Sequence, residues 1–282
     1  MKILKTTNPK DIEPFAKKIK LPVGDSHKGQ NGKVLVIGGS QLFHSASLWS
    51  AEVASHFADM VHYCSTEENN EIFLSLKKKF RNGIVVSRND LDSYAVEDDI
   101  ILVGPGLERT QETKKLVESL LKRHNEKRFI LDAGALQMMD PELLKGLKQP
   151  AIITPHQQEF QKLFGVSISE MSNNEKAEIV RRTAKEYKCV MLMKSITDFV
   201  SDGEVAIQIV GGNQGLTKGG TGDILAGLVS GLAAHSDSVS ASVCASYTLK
   251  KVADVLLISK GYWYNNSDIL DIIPKVVNSI FI

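Results

Sequence analysis

Residues 212–227 read Gly212-Asn-Gln-Gly-Leu-Thr-Lys-Gly-Gly-Thr-Gly-Asp-Ile-Leu-Ala-Gly227, a glycine-dense turn that runs straight into an apolar helix beginning near Asp223. Gly219, Gly220 and Gly222 let the backbone turn sharply and bring N–H groups close to a ligand. The unpaired N–H groups of the first helical turn and the positive end of the helix dipole then face one point, which suits phosphate. With Thr221 these glycines outline an anion cradle that needs no cluster of cations. It is not a Walker loop, because GxxxxGK[ST] does not occur. Asp223 at the mouth of the cradle has two readings. It caps the helix, the common fate of Asp after Gly, or it takes a proton from a hydroxyl that attacks phosphorus. Local sequence leaves both open.

Outward from this loop the chain alternates between apolar runs and helical patterns. Lys33-Val-Leu-Val-Ile37 is a continuous apolar run, as expected of a strand covered on both faces of a parallel sheet. Ser45–Phe57 has helical spacing. Ile84–Ser87, Ile100–Val103, Phe129–Leu131, Ala151–Ile153 and Cys189–Met193 read as further strands, with helices over Thr110–Arg123 and Asn174–Tyr187. Helices follow over Asp223–Ala234 and Ser240–Ser259. Thr197–Val200 and Glu204–Ile209 flank Ser201-Asp202-Gly203, a tight-turn signal, and read as an antiparallel hairpin. The alternation predicts a three-layer α/β/α fold, a mainly parallel central sheet with an edge hairpin. No repeat or linker divides residues 1–282, so one domain is expected, with residues 1–26 as an amphipathic or irregular lead-in.

Six of the apolar runs stop at a glycine-rich or polar corner: GGS at 38–40, GPGLE at 104–108, DAGAL at 132–136, TPHQQE at 154–159, KSITD at 194–198 and GGTGD at 219–223. Open parallel sheets bind ligands outside the carboxyl ends of their strands, so six such corners outline a site. In TPHQQE, His156 and Glu159 read either as a helix start or as site residues, with His156 on the substrate and Glu159 holding a hydrated Mg²⁺ that screens phosphates. Lys194 is either a solvated charge at a strand end or a neighbour of the nucleotide.

Composition narrows the partners. Hydrophobic residues make up 43% and charged residues 24%, and the formal net charge is +1. No global field favours nucleic acid or an anionic membrane, so any polyanion must be bound by a local site. Cys64, Cys189 and Cys244 are widely spaced and odd in number, which supports neither a disulfide framework nor a zinc site. They read as buried thiols of a reducing compartment. No apolar leader or membrane-length segment is found, so a cytoplasmic location is expected. Trp263 and Tyr264 read either as an exposed patch for homo-oligomer formation or as part of the core.

Together, His27-Lys28-Gly29-x-x-Gly32, Val36-Ile-Gly-Gly-Ser40, TPHxxE and GGTGD resemble the ADP- or ATP-dependent NAD(P)H-hydrate dehydratases of the ribokinase-like superfamily, over nearly the whole chain. The resemblance implies a cytoplasmic metabolite-repair enzyme. It would phosphorylate the ring hydroxyl of hydrated NADH or NADPH at the expense of ADP or ATP and then lose phosphate. Carried over by motif, Ala46, Gly106, His156 and Asp223 would contact the hydrated cofactor. Lys194, Ser195, Ile196, Thr197 and Asp198 would border the adenine nucleotide together with Gly219, Gly220, Thr221 and Gly222. Asp223 would be the catalytic base, and Mg²⁺ would be held by Glu159 through water. The sequence departs from that family at Gly134, where an acidic residue is usual, and at Ser45, Ser195, Gln157-Gln158 and the Ser246-Tyr247 helix. Two other functions fit the same motifs: a kinase of this fold acting on a hydroxymethyl heterocycle, and a non-catalytic nucleotide-binding homologue.

Overall fold

The computed structural model describes residues 1–282. Its strands are β1 (Lys2–Lys5), β2 (Lys33–Ile37), β3 (Met60–Cys64), β4 (Ile84–Val85), β5 (Ile100–Val103), β6 (Arg128–Leu131), β7 (Ile152–Ile153), β8 (Val190–Met193), β9 (Thr197–Ser201) and β10 (Ala206–Val210). They form one sheet in the order β1-β10-β9-β8-β7-β6-β5-β2-β3-β4. Every strand is parallel to the others except β9, which pairs antiparallel with both β8 and β10.

The helices are α1 (Glu13–Ala16), α2 (Ser45–Ala54), α3 (Glu67–Ser75), α4 (Leu91–Glu97), α5 (Gln111–Arg123), α6 (Ala133–Met138), α7 (Gln157–Phe164), α8 (Asn173–Tyr187), α9 (Thr221–Ala233), α10 (Ser238–Lys260) and α11 (Asn266–Phe281). Side-chain alternation along the strands divides them into two layers. Val34, Val36, Leu102 and Ile130 point into one core with α2, α9, α10 and α11. Leu35, Ile37, Ile101 and Leu131 point into the other with α4 to α8. Burial on both faces explains why the central strands are apolar without a break. No helix is long and apolar enough to cross a membrane.

Residues 1–26, expected to be a lead-in, contribute a strand: Lys2–Lys5 pairs with β10 and covers the outer side of the hairpin. The adjacent Ile3 and Leu4 between Lys2 and Lys5 are too short an apolar run to reveal it. Strand β3 was not anticipated either. His62 interrupts its apolar pattern, yet is buried and accepts a place there because Nδ1 lies 2.8 Å from the buried Asp98 carboxylate. Helix α11 escapes a breaker-based reading because Pro274 lies inside it. Trp263 and Tyr264 part company. Trp263 is 90% exposed, whereas Tyr264 is fully buried with its hydroxyl donating to Asn213 Oδ1 at 2.8 Å.

The sheet order reverses between β2 and β5, and the site forms outside this switch point. There the first two glycine corners touch: Gly39 N–H donates to Pro105 O at 2.8 Å. A Cβ at Gly38 would lie 2.3 Å from that same oxygen, so backbone contact excludes any side chain. Helix α9 is buried along nearly its whole length; Gly227 lets α2 pack closely against it through Ser50 and Val53, and Gly231 makes room for Phe57 just beyond α2. The start of α9, and with it Asp223, is thereby fixed on a rigid element.

Candidate active site

The glycine loop is held in shape by contacts that only glycine permits. Gly220 has φ 100°, and a Cβ there would sit 2.1 Å from the Trp49 ring and 2.2 Å from Asn266 Nδ2. Asn266 Nδ2 donates instead to Gly219 O at 2.8 Å, and Thr221 Oγ1 donates to Leu216 O at 2.8 Å. The N-cap of α9 is Gly220, without a side-chain capping bond. Asp223 therefore does not cap the helix. It stands in the first turn, its carbonyl accepts from Ser50 Oγ at 2.8 Å, and its carboxyl side lines a cavity.

That cavity, of about 630 Å³, is bounded by Phe43, Ala46, Gly106, Ala133, Gly134 and Asp223 among others. A second cavity, of about 110 Å³, lies beside the loop between Lys194, Ser195, Asp198, Thr221, Gly222 and Lys250. Asp223 is one residue from the wall of this second space. Burial, reinforced by the Asp132 carboxylate and opposed by the Lys194 ammonium, pushes the Asp223 carboxyl up to about 7. A carboxyl with that value exchanges protons near neutrality.

Strands β6, β7 and β8 lie side by side, and their carboxyl ends bring distant residues together. Asp132 Oδ1 accepts from Thr154 Oγ1 and from Lys194 Nζ, both at 2.7 Å. Lys194 Nζ is also 4.0 Å from Glu159 Oε2. Burial disfavours the Lys194 charge, but the Asp132 and Glu159 carboxylates outweigh it and hold the ammonium above its ordinary value. Glu159 accepts from His156 N–H at 3.0 Å and from Gln137 Nε2 at 2.8 Å. His156 and Glu159 thus form a capping box at the start of α7, as one reading of TPHQQE anticipated. Gln137 Oε1 is buried without a partner at the junction of this web and the larger cavity.

The sequence-derived candidates separate into groups. Ala46, Gly106 and Asp223 share the larger cavity, and His156 borders an adjoining one together with Gln137 and Arg109, which line both. Lys194, Ser195, Asp198, Thr221 and Gly222 share the smaller cavity. Gly219 and Gly220 shape the loop behind it. Ile196 is 92% exposed, and Thr197 and Asp198 are buried. Asp198 is occupied within the chain: Oδ1 accepts from Ser195 N–H at 2.8 Å, Oδ2 accepts from Ser246 Oγ at 2.7 Å, and Lys250 Nζ lies 3.4 Å away. Gln137 and Lys250 were not singled out by sequence reasoning, and Asp132 only as the start of the DAGAL corner. No short motif joins them to their partners.

At Gly134 this chain has no room for a side chain. A Cβ at this position would lie 2.2 Å from Leu107 O, so the backbone of the GPGLE turn fills the space of an acidic side chain. Ala133 beside it has φ 43°, a strained value for a residue with a side chain, on the wall of the cavity. No cluster of three or more His, Cys, Asp or Glu residues is arranged to hold a metal ion.

Known proteins resemble the chain over most of its length. The family model described as NAD(P)H-hydrate dehydratase matches residues 34–275. An ADP-dependent (S)-NAD(P)H-hydrate dehydratase from Nitrosopumilus maritimus is 32% identical over 89% of this chain and 89% of its own. A bifunctional NAD(P)H-hydrate repair enzyme from Methanocaldococcus jannaschii is 30% identical over 90% of this chain. The chain spans about half the length of such bifunctional relatives, 49% for this one and 52% for one from Archaeoglobus fulgidus. Among solved structures, an ADP/ATP-dependent NAD(P)H-hydrate dehydratase from Bacillus subtilis, co-crystallised with ATP and Mg²⁺, superposes with a TM-score of 0.81 at 24% identity, covering 95% of this chain and 97% of its own. A ribokinase-like superfamily protein from Enterococcus faecalis gives 0.83 at 23% identity, covering 99% and 96%.

Proposed function

The chain belongs to the NAD(P)H-hydrate dehydratase family, and from that premise we propose that it restores hydrated NADH or NADPH using ADP or ATP. The observation that carries this reading is the position of Asp223, a carboxyl pushed up to about 7 between a cavity large enough for the nicotinamide part and a smaller one beside the glycine loop. As the ring hydroxyl attacks the terminal phosphorus, Asp223 takes its proton. Backbone N–H groups of Gly219–Gly222 hold the phosphoryl oxygens, and Lys194 offsets their charge. The phosphorylated carbon then loses phosphate, expelled by the lone pair of the ring nitrogen. Hydroxide is a poor leaving group and phosphate a good one, so the enzyme has mainly to position and to screen charge.

Ala46, Gly106 and His156 serve the hydrated cofactor in this scheme. Lys194 to Asp198, with Thr221 and Gly222, serve the adenine nucleotide. Both Glu159 oxygens accept from Gln137 and His156, and Asp132 Oδ1 from Thr154 and Lys194, and no three carboxylates, histidines or thiols gather into a coordination shell. The arrangement is compatible with a hydrated Mg²⁺ carried by the nucleotide phosphates, which it would screen, with Glu159 reached through water. We read residues 1–282 as one ribokinase-like domain, supported by the single continuous sheet. The buried free thiols support a reducing, cytoplasmic setting, and exposed Trp263 is available for homo-oligomer formation.

The test is turnover of hydrated NADH with ADP and with ATP side by side. Free phosphate and recovery of the near-ultraviolet absorbance of the reduced ring are expected. A stable phosphoester would make the protein a kinase, and neither product would make it a binding protein.

A further inference from the structure

The reaction cavity shares Arg109 and Gln137 with a smaller space of about 180 Å³, bounded also by His156, Gln158, Glu159 and Lys162. Two cations and one histidine face it. Neither the Arg109 guanidinium nor the Lys162 ammonium bonds to another side chain, whereas most cations near the site are tied down, as Lys194 and Lys250 are. His156 adds a donor whose orientation is dictated by the fold. Its Nδ1 accepts from the N–H groups of Gln158 and Glu159 at 3.1 and 3.2 Å and so carries no proton. The ring proton is therefore on Nε2, which lies 3.5 Å from Glu159 Oε1, too far for a good hydrogen bond.

We propose that this side cavity seats the diphosphate bridge of the dinucleotide, with Arg109 and Lys162 as its cationic clamp and His156 Nε2–H as a neutral donor. The proposal rests on the dinucleotide substrate argued above and adds how its non-reacting part is held. Binding energy taken from that remote part positions the ring hydroxyl against Asp223. A guanidinium supplies the planar two-pronged geometry that phosphate oxygens accept, and an ammonium supplies a compact charge. The other neighbouring cavity, about 500 Å³, has the wrong chemistry for a diphosphate: Glu67, Glu108 and Glu112 line it against Arg88 alone. The nucleotide co-substrate also carries phosphates, but the space beside the glycine loop shares no lining residue with this one.

Both side chains are exposed, so Arg109→Gln and Lys162→Met should fold, which equal melting temperatures would verify. NADH serves as the probe, since it has the diphosphate but no ring hydroxyl to phosphorylate. Each substitution should weaken NADH binding by calorimetry about tenfold at low salt, with a smaller difference at high salt, because the charges are screened. ADP affinity should stay unchanged. Unchanged NADH affinity, or no NADH binding by the wild type, would overturn the assignment. An equal loss for ADP would overturn it too, giving the cavity to the co-substrate. Turnover of hydrated NADH by the wild type is measured alongside: if it succeeds while the variants bind NADH normally, only the subsite fails.

Discussion

On one side of Asp223 the site is made of backbone, and on the other of charged side chains. The loop 219–222 has glycine at three of its four positions and owes its shape to close contacts with Trp49 and Asn266. The opposite wall is a web in which Asp132, Thr154, Lys194, Glu159, Gln137 and His156 satisfy one another across three strand ends. The difference teaches where each function resides. A backbone cradle binds an anion whatever the net charge of the chain, which is only +1. A side-chain web sets the electrostatic surroundings of the one carboxyl that must change protonation state. Substitution should therefore act by bulk on the first side and by charge on the second.

The largest effect is expected where the two sides meet. Asp223→Asn keeps shape but loses the basic oxygen, so turnover should fall by at least about 10²-fold while nucleotide and NADH binding stay within several-fold. Wild-type kcat should show an acidic limb near pH 7, set by burial and Asp132. The stability effect has the opposite sign. A raised carboxyl value means that the folded state binds the proton more tightly than the unfolded state. Asp223 therefore costs stability increasingly as pH rises from about 4 to about 7, and the cost persists above that. The Asn variant should be more stable at pH 8, by up to about 4 kcal/mol, with the gap closing toward pH 4. Near-normal turnover would leave the mechanism without its base, and no gain in melting temperature would contradict the raised value.

How much of this was legible follows the same division. The cradle was readable because its residues are contiguous and each glycine has a local reason. The parallel sheet was readable because strands buried on both faces leave unbroken apolar runs. Whether Asp223 caps a helix or faces a cavity was not, since the choice depends on Gly220 taking the N-cap position. The Asp132–Lys194 pair spans 62 positions of sequence and exists only because β6, β7 and β8 are neighbours. Strand β3 stayed hidden because His62 looks polar until its buried partner Asp98 is seen. The room left at Gly134 depends on a carbonyl from another corner, Leu107 O.

On the backbone side, bulk should decide. A Cβ at Gly222 would meet only Lys194 Nζ, at 3.4 Å, but the two methyl groups of Gly222→Val would enter a cavity of only about 110 Å³. Nucleotide affinity should fall at least about tenfold, or ~1.4 kcal/mol, with the fold retained. Gly219→Ala is the control: nothing lies within 4 Å of its Cβ, and affinity should barely move. Equal losses in both variants would mean that the loop fails by general distortion. Unchanged affinity in the Val variant, read by calorimetry, would place the cradle elsewhere.

The smallest effect is expected at the edge of the side-chain web, where two costs oppose each other. Gln137→Leu removes a hydrogen bond to the Glu159 carboxylate, worth about 1.5–3 kcal/mol for a charged acceptor. It also removes Gln137 Oε1, a buried acceptor without a partner, whose presence costs about 1–3 kcal/mol. Glu159 would keep the His156 N–H and the nearby Lys194 ammonium. The two changes nearly cancel, so stability should move by no more than about 1 kcal/mol. Asp223 owes its raised value chiefly to burial and Asp132, so the acidic limb of kcat should stay near 7. Turnover within a few-fold of wild type would confine Gln137 to supporting the web. A loss of tenfold or more at unchanged melting temperature would mean that its free oxygen receives a hydrogen bond from the substrate. The charged wall would then touch the ligand directly, and the contrast between a binding side and a tuning side would have to be redrawn.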